Sequence, residues 1–483
     1  MNKIKVLLWS IFIFFFSIRL FIAFSIEGFN YDGYVILSNI SSILTGNFEE
    51  VIGFFSLYNF ILSFFSLYFD AEIVLKVIPN FFGASIVFVS FYLSSLITKN
   101  DNVSLIASFI SGCVPVFFVS TINNGSIYNF VIPLFFLCIY FFMLSSSNSK
   151  FSFKLLFSLI LLSLTHPLGA FLVLVLLVHL LLMKIQGFRN SAREPELIIF
   201  YTLFVTWIST LLYRDSFLLF ESLFVWQNIP RELLSDSYGS LSSIGLIYGV
   251  GLISLVAGFW AIYYSFFYSK RKVLTILSSV VFVSVLMIFL QLIEIVLGLI
   301  LIGVSLSILG AFSLDKVFNS LIYIKLKNIE VYGLFLIVLV QLILFFPSIQ
   351  IAGEVVSDVP SLDDKKALVW LSNQSEGIVL GSYNEGGLIK YYSDNNVVIT
   401  NNFFNQKNVE SVFRDVNVLF RDRFLTTALN RLTFYDVSYI FLSEYTQKNK
   451  NISSLLFEDN NCVVLIYDDN TKIYDVRCTI DVD

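Results

Sequence analysis

A run of ~20 apolar residues has one stable way through a bilayer, as a helix, because hydrocarbon offers no partner to an unpaired backbone amide. This chain repeats such runs through most of its length: 5–24, 73–98, 102–121, 126–144, 152–166, 168–184, 196–213, 241–267, 273–290, 292–313 and 331–349. The spacing predicts about eleven crossings. Charged residues make up 13% of the 483, against roughly a quarter in a soluble globule. The class is therefore a polytopic α-helical membrane protein, not a soluble enzyme on an anchor. The basic start MNKIK precedes a long apolar run with no small-residue cleavage site, which predicts a retained first span.

Lys and Arg set the orientation. With the N-terminus inside, the inner loops hold Lys3, Lys5, Lys99, Lys150, Lys154, Lys184, Arg189, Arg193, Lys270, Arg271, Lys272, Lys316, Lys325 and Lys327. The outer loops between spans hold only Arg214 and Arg231. This asymmetry requires that 53–69, GFFSLYNFILSFFSLYF, be a surface helix and not a span. Its Ser and Asn interruptions and its end at Asp70 agree. The expected arrangement is a multi-pass cell-membrane protein with a cytoplasmic N-terminus. Residues 1–350 form the transmembrane domain, with an external loop over 25–72, and 351–483 form an extracytoplasmic domain.

After Pro347 the composition changes. EGIVLGS, NVVIT, VSYIFLS and CVVLIYDD have the apolar, β-branched character of strands. DDKKALVWLSN and VESVFRDVNVLFRDRFLTTALNRL have helical spacing. Strands alternating with helices predict a small α/β domain. Cys462 and Cys478 fall in it and pair if it faces an oxidising side. Cys113 and Cys138 lie in apolar runs as packing residues. Sequons on the expected outer side start at Asn39, Asn124, Asn373 and Asn451, a number that chance also gives in an Asn- and Ser-rich chain.

Two histidines exclude a His-rich metal site, and no basic run points to nucleic acid. Charges near span ends carry the remaining information. Arg19 either snorkels to the interface or turns inward to bind an anion, and Lys76 has the same two readings. Asp32 lies in FNYDGYVILS at the mouth of the first span, flanked by Tyr31 and Tyr34, with Glu27 nearby. A carboxylate there can accept a proton from an acceptor hydroxyl or hold a metal ion. Taken alone, a loop aspartate is more often simply solvated. His166, in LTHPLG, would share that face as a site residue or as a local helix stop. Glu294 is expected to be interfacial, and His179 a packing residue. Arg214 and Arg231 are positioned to contact a phosphate, with Trp226 and Tyr238 beside them in an interfacial belt or as sugar-stacking residues.

The order of these features resembles the GT-C superfamily of membrane glycosyltransferases, which use lipid-phosphate-linked sugars. In that superfamily a first span with an Arg leads to an external loop with an essential acid. Surface helices with a Pro-Leu-Tyr-Pro-like segment follow, then a span opening on Arg. Here the matching residues are Arg19, Asp32, SLYN at 56–59 and Lys76, and the likeness covers about 1–180. The tail from 365 is similar in layout to oligosaccharyltransferase catalytic subunits. Where those carry Trp-Trp-Asp-Tyr-Gly, this chain reads SYNEGG at 382–387, and Ile122-Asn123-Asn124-Gly125 lacks the paired acids expected after the third span. These departures favour a single-sugar transferase, hexosyl or pentosyl, as in the protein mannosyltransferase-like members.

The resemblance implies an inverting transfer from a polyprenyl-phosphate sugar to a lipid, glycan or protein acceptor. Asp32 would be the base. Arg19, Lys76, Arg214 and Arg231 would bind the donor phosphate, and His166, Glu27, Tyr31 and Tyr34 would line the site. With one strong carboxylate there, a divalent metal is allowed but not indicated. Two other classes compete: a polysaccharide or lipid transporter or polymerase, and a non-catalytic scaffold. The first needs polar stripes along several spans, which are mostly bare of charge here.

Overall fold

The computed structural model describes residues 3–48, 57–187, 193–219, 243–268, 271–321, 329–357, 359–400, 408–459 and 461–480. Among these, eight helices are long and apolar enough to cross a membrane: Lys3–Phe24 (α1), Ala71–Ile97, Tyr128–Ser146, Leu168–Ile185, Glu194–Leu212, Lys272–Phe289, Ile295–Ser320 and Tyr332–Val356. A ninth crossing is formed if Ile244–Val250 and Leu252–Phe267 count as one span, bent by 78°. Gly251 makes the bend, at φ +92°, where any residue with a Cβ is strained.

The other two expected spans are shorter than the bilayer requires. Residues 102–121 divide into Asp101–Gly112 and Pro115–Ser120, with Pro115 opening the second piece at its first turn. Ser152–Thr165 has 14 residues, or ~21 Å of helix against ~30 Å of hydrocarbon. It stops at His166-Pro167 because proline removes the next amide donor.

Between the first two spans lie α2 (Tyr31–Thr45) and α3 (Leu57–Ser66). At 10 residues α3 is far too short to cross, in agreement with a non-spanning segment. The second span opens with α4 (Ala71–Ala84), whose N-cap Asp70 accepts from the amides of Glu72 and Ile73.

The C-terminal domain holds a five-stranded sheet: β1 (Ile378–Leu380), β2 (Asn396–Val397), β3 (Val437–Leu442), β4 (Val463–Asp468) and β5 (Lys472–Val476), in the order β2-β1-β3-β5-β4. β1 is parallel to β2 and β3, and β5 is antiparallel to β3 and β4. Cys462 and Cys478 flank the β4–β5 hairpin and form a disulfide. All four expected strands are present, and β5 is a strand that the sequence reading missed.

Strand side chains alternate between two cores. Leu380, Ile440 and Tyr474 face a core closed by the helices Val409–Leu419 and Leu425–Phe434. Val379, Tyr439, Phe441 and Ile473 face another, which also contains Phe29, Tyr31, Tyr34, Leu37 and Ile40, then Tyr58 and Leu62, then Val74 and Leu75. The loop after the first span and the C-terminal domain thus share one hydrophobic core on the same end of the bundle. The ion pair Lys272–Glu194, 2.6 Å, marks the opposite end. Lys272 begins an 18-residue helix whose far end leads to Glu294, ~27 Å away at 1.5 Å per residue.

Candidate active site

Asp32 stands in the first turn of α2 and is exposed. A negative charge there is favoured by the helix dipole, so the fold places it at no structural cost. Glu294 lies between Phe289 and Ile295, at the turn joining two spans. Its Oε2 accepts a 2.8 Å hydrogen bond from the hydroxyl of Tyr128, the first residue of Tyr128–Ser147. Both Tyr128 and Glu294 feel the charge of Asp32. The Tyr128 ring meets His166 edge-on at 5.8 Å between centroids. His166 Nδ1 accepts from the Leu168 amide at 3.1 Å, which leaves Nε2 as the other ring nitrogen. Tyr128, Glu294 and His166 therefore meet at one mouth of the bundle, and Asp32 lies near enough for its charge to act on the first two.

Glu294 sits at a span end and keeps exposed surface, as expected of an interfacial acid, and its carboxyl is partly desolvated beside Tyr128. Burial raises its pKa above the ordinary carboxylate value. The Tyr128 hydrogen bond lowers it, and the negative charge of Asp32 raises it again. The site thus holds two carboxylates, where the sequence reading counted one. The signal available was Glu294's position at a turn on the same end as Asp32.

The cations take different places. Lys76 is buried; its Nζ donates to the Ile26 carbonyl at 2.7 Å and lies 5.3 and 5.4 Å from the rings of Phe24 and Phe29. Glu72, Glu27 and Lys365 are its charged neighbours. Lys365, from the C-terminal domain, went unnoticed in the sequence. Arg19 neither snorkels nor opens toward a ligand. It is 2% exposed. Nε donates to Asn80 Oδ1 at 3.0 Å, and Nη2 donates to Thr121 Oγ1 and to Asn129 Oδ1 at 2.6 Å. Asn80, one helical turn after Lys76 on α4, in turn donates to the Lys76 carbonyl, so it links Arg19 on α1 to Lys76, and only Lys76 is near the loop.

Tyr34 is fully buried and Tyr31 nearly so. Both rings belong to the shared core, which places them behind Asp32 and not in a cavity wall. Glu27 is exposed. Arg214 falls in the helix Arg193–Leu219, but its side chain, with Arg231, Trp226 and Tyr238, lies outside the described residues. His179 is buried mid-span, as expected of a packing residue.

SYNEGG, 382–387, forms a tight turn over Tyr383–Glu385 that runs into the helix Gly386–Ser393, and its Glu385 is completely buried. The carboxylate accepts from the Ser382 amide at 2.9 Å, from Thr446 Oγ1 at 2.7 Å and from Ser443 Oγ. Burial pushes its pKa up to about 7, against those three hydrogen bonds. The folded chain then holds the proton more tightly than the unfolded one. Stability from this group is complete below the unfolded value near 4.5 and is lost as pH rises toward 7, on the order of 3 kcal/mol in all. Glu385→Gln should flatten that loss. Thermal unfolding of both proteins at pH 5 and pH 8 checks it: the variant's drop between the two should be the smaller.

No protein-family profile and no curated protein matches this sequence. Solved structures do. The archaeal oligosaccharyltransferase AglB of Archaeoglobus fulgidus, in complex with an inhibitory peptide and a dolichol-phosphate, superposes at TM-score 0.64 with 14% identity, over 91% of this chain and 70% of that one. The same enzyme in complex with Zn and sulfate gives 0.60 and 12%, over 89% and 67%. ArnT of Cupriavidus metallidurans, bound to undecaprenyl phosphate, gives 0.59 and 10%, over 96% and 97%. AglB and ArnT are both GT-C glycosyltransferases. Over nearly its whole length, then, this chain shares the fold of these solved structures.

Proposed function

We propose that this protein is a membrane glycosyltransferase. It moves a hexose or pentose from a polyprenyl-phosphate donor to a lipid, glycan or protein acceptor, on the extracytoplasmic face of the cell membrane. The observation that carries this reading is a fold shared with solved glycosyltransferases, with Asp32 close enough to Glu294, at one end of the bundle, for their charges to interact. Two neighbours of this fold support the lipid class, since one structure holds dolichol-phosphate and another undecaprenyl phosphate.

In the proposed step, Asp32 takes the proton of the acceptor hydroxyl as its oxygen bonds to the anomeric carbon. The bond from that carbon to the phosphate oxygen breaks, and its electron pair leaves with the polyprenyl phosphate. A single displacement inverts the anomeric centre. Lys76 neutralises the leaving phosphate; Arg214 and Arg231 are further candidates. Arg19 supports Lys76 from below through Asn80. A divalent cation suits the carboxylate pair. Asp32 and Glu294 would hold it, leaving positions for water and phosphate oxygens, as Mg²⁺ prefers. Its charge would offset the repulsion between them. Among the described residues no three Asp, Glu, His or Cys side chains are grouped so as to hold a metal ion, so His166 is not counted as a third ligand.

The test is donor binding and turnover by the purified protein. Undecaprenyl and dolichyl phosphate should bind, and Lys76→Ala should weaken binding about tenfold, the effect of ~1.4 kcal/mol from one phosphate contact. A pool of labelled polyprenyl-phosphate sugars should release polyprenyl phosphate. No binding of either lipid and no release from the pool would rule the reading out.

A further inference from the structure

Asp32 is held from behind by the C-terminal domain. Tyr31, its predecessor, packs its ring on Tyr445 at 5.2 Å between centroids. The Tyr445 hydroxyl accepts from Asn384 Nδ2 at 3.2 Å, and Asn384 belongs to the SYNEGG turn. Three residues after Asp32, Val35 meets the other end of that turn. A Cβ placed on Gly387 would lie 2.6 Å from the Val35 amide nitrogen and 2.9 Å from its Cα. Both are backbone atoms, which cannot swing aside as a side chain does, so only glycine allows this approach. Glu385 binds the turn to Ser443 and Thr446, at the start of the helix Glu444–Lys450 that carries Tyr445.

We infer that the SYNEGG turn, through Gly387 and the Asn384–Tyr445 pair, is a positioning element that sets the place of Asp32 relative to Glu294 and the acceptor. The inference rests on the sugar-transfer reading and extends it to a part of the chain that touches no reacting atom. The start of α2 is gripped on both sides of Asp32 by another domain, at Tyr31 by Tyr445, which Asn384 of the SYNEGG segment holds, and at Val35 by Gly387 of the same segment. Glu294 and Tyr128 belong to the membrane bundle. The distance between the two carboxylates therefore depends on how the domain seats on α2. A methyl group on Gly387 must push the first turn of α2 away from the domain, while Lys76, on α4, keeps its place.

The experiment uses the full-length protein in nanodiscs with the labelled polyprenyl-phosphate sugar pool as probe. Gly387→Ala should lower kcat about 10- to 100-fold, as expected of a displacement near 1 Å at a reacting group. The donor KM should stay within about twofold of wild type. The acid limb of the pH–rate profile should move, because the surroundings of Asp32 change. Asn384→Ala is the milder variant should Gly387→Ala not fold, with a kcat loss of about 3- to 10-fold expected. A folded Gly387→Ala with wild-type kcat, or a rate loss matched by a rise in donor KM, overturns the inference. If Asp32→Asn abolishes transfer and Gly387→Ala does not, only the positioning role falls. If Asp32→Asn itself is fully active, the base assignment falls with it.

A second readout needs no substrate. An Asp32→Cys thiol should change its rate of reaction with a charged maleimide by about threefold or more when Gly387→Ala is added. The other free cysteines, Cys113 and Cys138, are buried. An unchanged rate counts against the inference.

Discussion

Replacing Asp32 by Asn should lower sugar transfer by about 10²- to 10⁴-fold, the range lost when a general base is removed, while the protein folds normally. Asp32 is exposed in the first turn of α2, and the Asn amide keeps its size and shape. The loss includes a favourable charge at a helix N-terminus, worth ~0.3–1 kcal/mol. Glu294→Gln should also be severe. The Gln carbonyl can still accept from Tyr128, but the second negative charge is gone. The two should not add: if the carboxylates act as a unit, the double variant is about as slow as the worse single one. Single-turnover rates of the four proteins check this. Rates within threefold of wild type for Asp32→Asn would remove the base, and full additivity would mean that the carboxylates act separately.

Arg19→Ala should destabilise the bundle by about 3 kcal/mol or more. The guanidinium supplies donors to Asn80, Thr121 and Asn129. Each buried acceptor left without a donor costs ~1–3 kcal/mol. Relief from burying the cation offsets part of this, but total stabilities of only ~5–15 kcal/mol make the remainder decisive. Arg19→Lys should not rescue. A single ammonium on a flexible stem cannot reproduce a planar fork reaching three segments at once. The amount of monodisperse protein left after stepwise heating checks it. Equal survival of wild type and Arg19→Ala would show that the network contributes little.

Much of the architecture was legible because lengths of apolar sequence carry it directly. The strands EGIVLGS and VSYIFLS were visible as short β-branched runs between turn residues, and they are strands. KIYDV was not, because its alternation is brief and it follows the polar turn of a hairpin. Among the described residues, two of the expected spans were cut short where Pro115 and Pro167 interrupt apolar runs, since hydropathy alone does not register a helix stop. Asp32 was singled out by its place after a span. Its companion Glu294 was not, because the register between helices far apart in sequence is set by packing. The same reason hid the partners of Arg19. Asn80, Thr121 and Asn129 look like ordinary polar residues until three segments meet. The disulfide was visible only as two cysteines in one domain, and the β4–β5 hairpin brings them together.

The most direct measurement is the fate of label in a polyprenyl-phosphate-linked sugar, followed in proteoliposomes that contain wild type or Asp32→Asn. Label should leave the lipid with wild type, polyprenyl phosphate should accumulate in equal amount, and the variant should leave the pool nearly intact. A wild-type protein that never consumes the lipid, or a variant that keeps pace with it, would contradict sugar transfer at this carboxylate pair.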